Sequence, residues 1–170
     1  MINEENLVQI VGPGRVNQDA ATLDAYARDI SFVTSIRPRY VVKPENSQAV
    51  KEIVKLANET KTPLVAVSSG APHFRGDTVP SIGGAVIVDL SGMKKIIKVD
   101  RPRRVAMVEP GVTFGELIPA VKEEGIRLNM PFMPKSTKSV VASLLDREAV
   151  VMPGYQWDVS DPLACIEVFF

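Results

Sequence analysis

Val67-Ser68-Ser69-Gly70-Ala71-Pro72-His73-Phe74-Arg75-Gly76 follows a brief apolar run, Leu64 to Val67, that reads as a strand. The segment packs small residues and hydroxyls together. Small side chains let successive backbone N–H groups converge on an anionic oxygen and let a phosphate approach the main chain. The same residue types are ordinary turn formers, so taken alone the loop favours phosphate binding over a surface turn only weakly. The reading depends on what surrounds it.

Upstream, Tyr40, Val41 and Val42 form a β-branched run that Pro44 must close. Asn46 or Ser47 then caps a helix whose apolar face is Ala49, Val50, Ile53, Val54, Leu56 and Ala57, ending near Lys61 and Pro63. A shorter amphipathic helix is expected from Asp19 to Arg28. Downstream, Gly83 and Gly84 precede a strand at Ala85 to Leu90, and Arg104 to Glu109 alternates apolar and polar positions up to the Pro110-Gly111 turn. Thr113 and Glu116 have capping-box spacing, which starts a helix at Phe114 and closes it at Gly125, with Pro119 inside as the source of a kink or a shortening. Periodicity is weak from Leu128 to Pro153. Cys165 to Phe170 reads as a final apolar strand. Alternation of helical and strand periods makes this a mixed α/β chain and excludes all-helical and all-β folds.

With 45% hydrophobic and 24% charged residues over 170 positions, the chain can bury a real core as one domain or two small lobes. Twenty basic and twenty acidic residues cancel, so no global field draws in nucleic acid or an anionic membrane. The densest basic stretch, Lys94, Lys95, Lys98, Arg101, Arg103 and Arg104, is interrupted by Ile96, Ile97 and Val99 and carries no interleaved aromatics. It reads as a strand edge with a solvated face, not a nucleic-acid patch. A lone cysteine, Cys165, forms no internal disulfide and is expected to be a buried thiol. Neither a signal peptide nor a membrane span is legible, so a soluble cytoplasmic protein is expected.

The ordered series resembles the flavin-binding domain of the p-cresol methylhydroxylase/vanillyl-alcohol oxidase superfamily, called the PCMH type, and within it the glycolate-oxidase and D-lactate-dehydrogenase subgroup. It runs from Tyr26-Ala27-Arg28-Asp29 through the strand, helix, strand and small-residue loop. It continues through Gly83-Gly84-Ala85-Val86-Ile87-Val88-Asp89-Leu90-Ser91-Gly92-Met93-Lys94-Lys95-Ile96 and Val108-Glu109-Pro110-Gly111-Val112, and ends at Ile166-Glu167-Val168. The resemblance implies an α+β, two-lobed domain: a helical segment over 1–30, then an incomplete FAD-binding domain over 31–170, with no substrate domain. The first lobe would hold the strands near Tyr40, Leu64 and Val86, and FAD would lie between the lobes. It also implies a loop, Ser68, Ser69, Gly70, Ala71, Pro72, His73, Phe74 and Gly76, that wraps the FAD pyrophosphate. A second segment, Pro134 through Leu145, would pass the flavin side, with Pro134, Ser139, Val141, Ala142 and Ser143 against the cofactor.

Two departures stand out. The family's arginine and glycine-rich run is replaced by Ser68 to Pro72, and its paired glycines fall on Val141 and Ala142. Where the family attaches flavin covalently, the attaching histidine corresponds to Pro72, which forms no such bond, so FAD is expected to be non-covalent and weakly held. His73, the single histidine, reads as a loop residue near phosphate or a plain surface residue, and no nucleophile-elbow motif supports a hydrolase. Arg75 is a candidate to replace the lost charge, or merely solvated. Asp19, Asp24 and Asp29 are spaced by five and share no helix face, which argues against a metal site. Tyr155, Trp157, Phe169 and Phe170 are candidates for a flavin-side wall, with core packing favoured for the two phenylalanines.

The functional expectation is the FAD-binding portion of an oxidoreductase acting on a small organic substrate, such as a 2-hydroxy acid, with the cofactor supplying the chemistry. No catalytic residue is assignable, and an electron acceptor and further chain beyond Phe170, a partner subunit or an oligomer are expected to complete it. The rivals are a flavin-free binding or scaffold module of the same fold, and a phosphate loop for another nucleotide.

Overall fold

Asn3 opens the first helix by accepting from the Asn6 amide at 2.9 Å, and Glu4 and Glu5 complement the positive helix end. This helix, α1 (Glu4–Val11), buries Leu7 and Val11 and stops at Gly12, whose φ of 87° suits glycine. The computed structural model describes residues 2–71, 73, 78–128, 135–146 and 166–170. They fall in two compact units, Met1–Met93 with Phe169–Phe170, and Lys94–Val168.

In the first unit, β1 (Val16–Asn17) leads to α2 (Ala20–Tyr26), which Asp19 caps through the Thr22 amide at 2.9 Å. β2 (Tyr40–Val42) is followed by α3 (Ser47–Thr60), where Asn46 takes the Ala49 amide and Lys61 closes the helix in the left-handed region at φ 52°. β3 (Leu64–Val67) and β4 (Val86–Asp89) complete a four-stranded sheet in the order β1-β2-β4-β3. β4 is the central strand, parallel to both β2 and β3, while β1 is an antiparallel edge.

Alternation along these strands sorts the core. Tyr40, Val42, Val86 and Val88 point to one face, where Ile53 and Ala57 of α3 and Leu7 of α1 cover them. Val41, Val67 and Ile87 point to the other, covered by Leu23 of α2 with Tyr26 beside it. A sheet covered on both faces needs apolar residues at every position, which is why Val41, Val42, Val86 and Ile87 are all fully buried.

In the second unit, β5 (Ile96–Asp100) and β6 (Val105–Val108) form an antiparallel pair with an irregular register between Ile96 and Lys98. α4 (Phe114–Glu123) begins at a capping box in which the Thr113 amide and hydroxyl donate to Glu116 Oε2 at 2.9 and 2.7 Å. The helix continues through Pro119, and Gly125 at φ 69° makes the left-handed turn after it. α5 (Val140–Leu145) is capped by Ser139. Val112, Phe114, Leu117, Val121 and Val140 are the buried centre of this unit.

The expected strand at Cys165–Phe170 is corrected. Residues 166–170 form no strand and pair with no described strand, and Cys165 itself lies outside the described residues. An apolar run becomes a strand only when an edge accepts its backbone groups. Core packing is corrected for Phe170, which is 96% exposed, as are Ile166 and Val168 in large part. Tyr155 and Trp157 lie outside the described residues.

Candidate functional site

Parallel strands end in a common direction, and the loops at their carboxyl ends are where α/β sheets hold ligands. In the first unit those ends are Val42, Val67 and Asp89, tied together where the Leu90 amide donates to the Val67 carbonyl at 2.6 Å. The small-residue loop leaves from this edge. Ser68 is half-buried and Ser69 buried, whereas Gly70 and Ala71 are exposed. A Cβ placed on Gly70 would meet nothing within 4 Å, so the loop backbone there faces open space. Pro72, Phe74, Arg75 and Gly76 lie outside the described residues.

His73 is not a plain surface residue. Its ring is half-buried against Tyr26, with centroids 5.3 Å apart and planes tilted by 38°. Tyr26 in turn donates to Asp89 Oδ2 at 2.6 Å. Asp89 is only 3% exposed, and it also accepts the Ser91 amide at 2.9 Å and has the Lys43 ammonium at 3.8 Å. Burial first, and then the Asp89 carboxylate that accepts from it, push the Tyr26 phenol above its ordinary range. Two buried polar atoms here have no hydrogen-bond partner among the described residues: His73 Nδ1, within the loop, and the hydroxyl of the fully buried Thr78, just after it. Buried polar atoms are almost always paired, so both fit a polar ligand against this loop.

The second segment belongs to the second unit. Three backbone bonds pin it along the start of α4: Phe114 N to Lys138 O at 3.1 Å, Gly115 N to Ser136 O at 2.9 Å, and Val140 N to Val112 O at 3.0 Å. Ser139 is buried, accepts the Ala142 amide at 3.1 Å, and donates its hydroxyl to the Pro110 carbonyl at 2.7 Å. Ser143 is on the buried side of α5, while Val141 and Ala142 are half-buried. Pro134 lies outside the described residues.

The three spaced aspartates have separate local duties. Asp19 caps α2, Asp24 pairs with Arg37, and Asp29 Oδ1 accepts the Ser31 amide. No group of metal-ligating side chains occurs among the described residues, and none of their helices is long and apolar enough to cross a membrane. Lys43, Thr78 and Asp89 have no functional role legible in the sequence. Lys43 follows and Asp89 ends an ordinary apolar strand, and Thr78 carries no local signal.

A family model described as an FAD binding domain matches residues 38–158. The 4-cresol dehydrogenase [hydroxylating] flavoprotein subunit of Pseudomonas putida is 35% identical over 111 residues, covering 65% of this chain and 21% of that protein. Glycolate oxidase subunit GlcD of Bacillus subtilis is 28% identical over 158 residues, 92% of this chain and 33% of its own. Among solved structures, p-cresol methylhydroxylase with substrate bound superposes with a TM-score of 0.74 at 30% identity, covering 85% of this chain and 28% of that one. The chain thus belongs to the FAD binding domain family of the p-cresol methylhydroxylase type, a mixed helix and sheet domain whose cofactor is FAD. It spans about a fifth to a third of the length of these relatives.

Proposed function

We propose that the chain is the FAD-holding part of a flavin-dependent oxidoreductase for a small organic substrate, with 2-hydroxy acids as the class. The observation that carries this is the loop at the carboxyl edge of the parallel sheet, with two buried polar atoms that have no partner among the described residues, His73 Nδ1 within it and the Thr78 hydroxyl just after it. FAD, when bound, supplies the acceptor for a hydride from substrate. The chain's own residues bind and orient it. Ser68, Ser69, Gly70, Ala71, Pro72, His73, Phe74 and Gly76 line the pyrophosphate, with Thr78 at the loop's end. Pro134, Ser139, Val141, Ala142 and Ser143 pass the flavin side. The match to a glycolate oxidase subunit supports the hydroxy-acid class. Substrate selection and electron delivery are assigned to regions that the relatives have outside the matched part, or to a partner subunit.

Attachment is non-covalent, because Pro72 stands at the attachment position and also donates no N–H. Losing two charge-assisted hydrogen bonds relative to a glycine-rich loop would cost about 3 to 6 kcal/mol of affinity. Val141 and Ala142, standing where the family has paired glycines, favour a second reading, a flavin-free scaffold of the same fold. Fluorescence titration of the purified chain with FAD, followed by acid precipitation, separates the readings. The expected outcome is saturable binding, weaker than nanomolar, with all flavin left in the supernatant. A chain that takes up no FAD supports the scaffold, and flavin precipitating with the polypeptide would refute non-covalent attachment.

A further inference from the structure

We propose that Tyr26 is a positioning residue for the cofactor loop, fastening the end of α2 to the carboxyl end of β4 through Asp89 and seating His73 on its ring. The inference rests on the reading that this loop receives FAD. Tyr26 is the last residue of a seven-residue helix, whose end is closed by a single backbone bond from the Ala27 amide to the Asp24 carbonyl at 3.3 Å. Its hydroxyl instead reaches a carboxylate 63 residues away in sequence, at 2.6 Å. Asp89 is a demanding anchor, because a buried carboxylate needs its partners, and here they come from three places: Tyr26, the Ser91 amide and Lys43. With the phenol so fixed, its ring offers a face to the middle of the loop, and the 5.3 Å separation from His73 is normal for a paired aromatic contact. Tyr26 thus links α2, β4 and His73 in one chain of side chains, which ends at the His73 Nδ1 that has no partner among the described residues.

The bland alternative is that Tyr26 only fills space beside Leu23, Val41, Val67 and Ile87. The two differ in what the hydroxyl does. Tyr26→Phe keeps the ring and its packing and removes the bond to Asp89; His73→Ala removes the other end of the link. FAD affinity is measured by flavin fluorescence, and backbone hydrogen exchange across 68–78 is followed in apo protein. Each single variant is expected to weaken FAD by about tenfold and to speed exchange across 68–78, with β2 exchange unchanged. The double variant should be no weaker than the weaker single, because both act through one link. Wild-type affinity and exchange in Tyr26→Phe, or effects that multiply in the double variant, would overturn the proposal while leaving the FAD reading intact. Failure of the wild-type chain to take up FAD would overturn both. Should Tyr26→Phe not fold, His73→Ala carries the test on apo-protein exchange alone, since its affinity also reports its own place at the pyrophosphate, and unchanged exchange in it overturns the link.

Discussion

At the residue scale, the pair of half-buried Tyr26 and buried Asp89 makes a prediction about alkaline pH. The Tyr26 phenol lies above its ordinary value of 10.0 in the folded protein, so folding favours its neutral form. Such a group contributes its stability fully below pH 10, and the contribution is lost as pH climbs above that value toward the folded one. Urea melts at pH 8 and pH 11 should therefore show a larger loss for wild type than for Tyr26→Phe. Lysine titration is common to both and drops out of the difference. An equal loss in the two proteins would refute the assignment. Nothing local in Leu23-Asp24-Ala25-Tyr26 foretells this bond, because its partner is on another strand. The sequence shows Tyr26 and Asp89 only as members of a family pattern and gives neither a role, since Asp89 looks like an ordinary polar end to an apolar run.

At the element scale, what was legible is what local chemistry decides. β3 was read at Leu64 to Val67 because Pro63 precedes an apolar β-branched run, and α3 because Asn46 caps an apolar face of helical period. The strand order β1-β2-β4-β3 was not legible, since it depends on which edges meet, and neither was β1, only two residues long. The apolar end of the chain suggests a strand and forms none for the same reason. The start of α4 yields two predictions. A Cβ on Gly115 would lie 2.9 Å from the Ser136 carbonyl oxygen, a backbone atom tied to the Gly115 amide. Gly115→Ala should cost about 1 to 3 kcal/mol in urea melts and loosen the 135–140 segment. Glu116 responds to acid. Burial works against its carboxylate, but the Thr113 amide and hydroxyl and the Lys94 ammonium outweigh it and hold the group below its ordinary 4.5. A depressed carboxyl contributes above that value and loses its contribution as pH falls through the folded one. Wild type should lose more stability between pH 6 and pH 3 than Glu116→Gln; a Gln variant equally sensitive to acid would show that other carboxylates set the response.

At the scale of the whole molecule, the cancelling charges shape how a cofactor would be held. With twenty acids and twenty bases there is no long-range field to gather the anionic FAD, so on the proposed reading binding comes from local contacts at the 68–78 loop. Affinity should accordingly change little between 50 and 300 mM salt. Binding to the folded state alone also raises stability by mass action: free FAD at a hundred times its dissociation constant contributes about 2.7 kcal/mol. For a chain of this size that corresponds to a rise in Tm of about 5 to 10 °C. Because attachment is expected to be non-covalent, the rise should track FAD concentration and vanish after gel filtration. Riboflavin, which carries the ring without the pyrophosphate, should give a much smaller shift at equal concentration if the loop at the carboxyl edge of the sheet is the anchor. Equal shifts from riboflavin and FAD would place the binding energy on the ring and remove the 68–78 loop from the site.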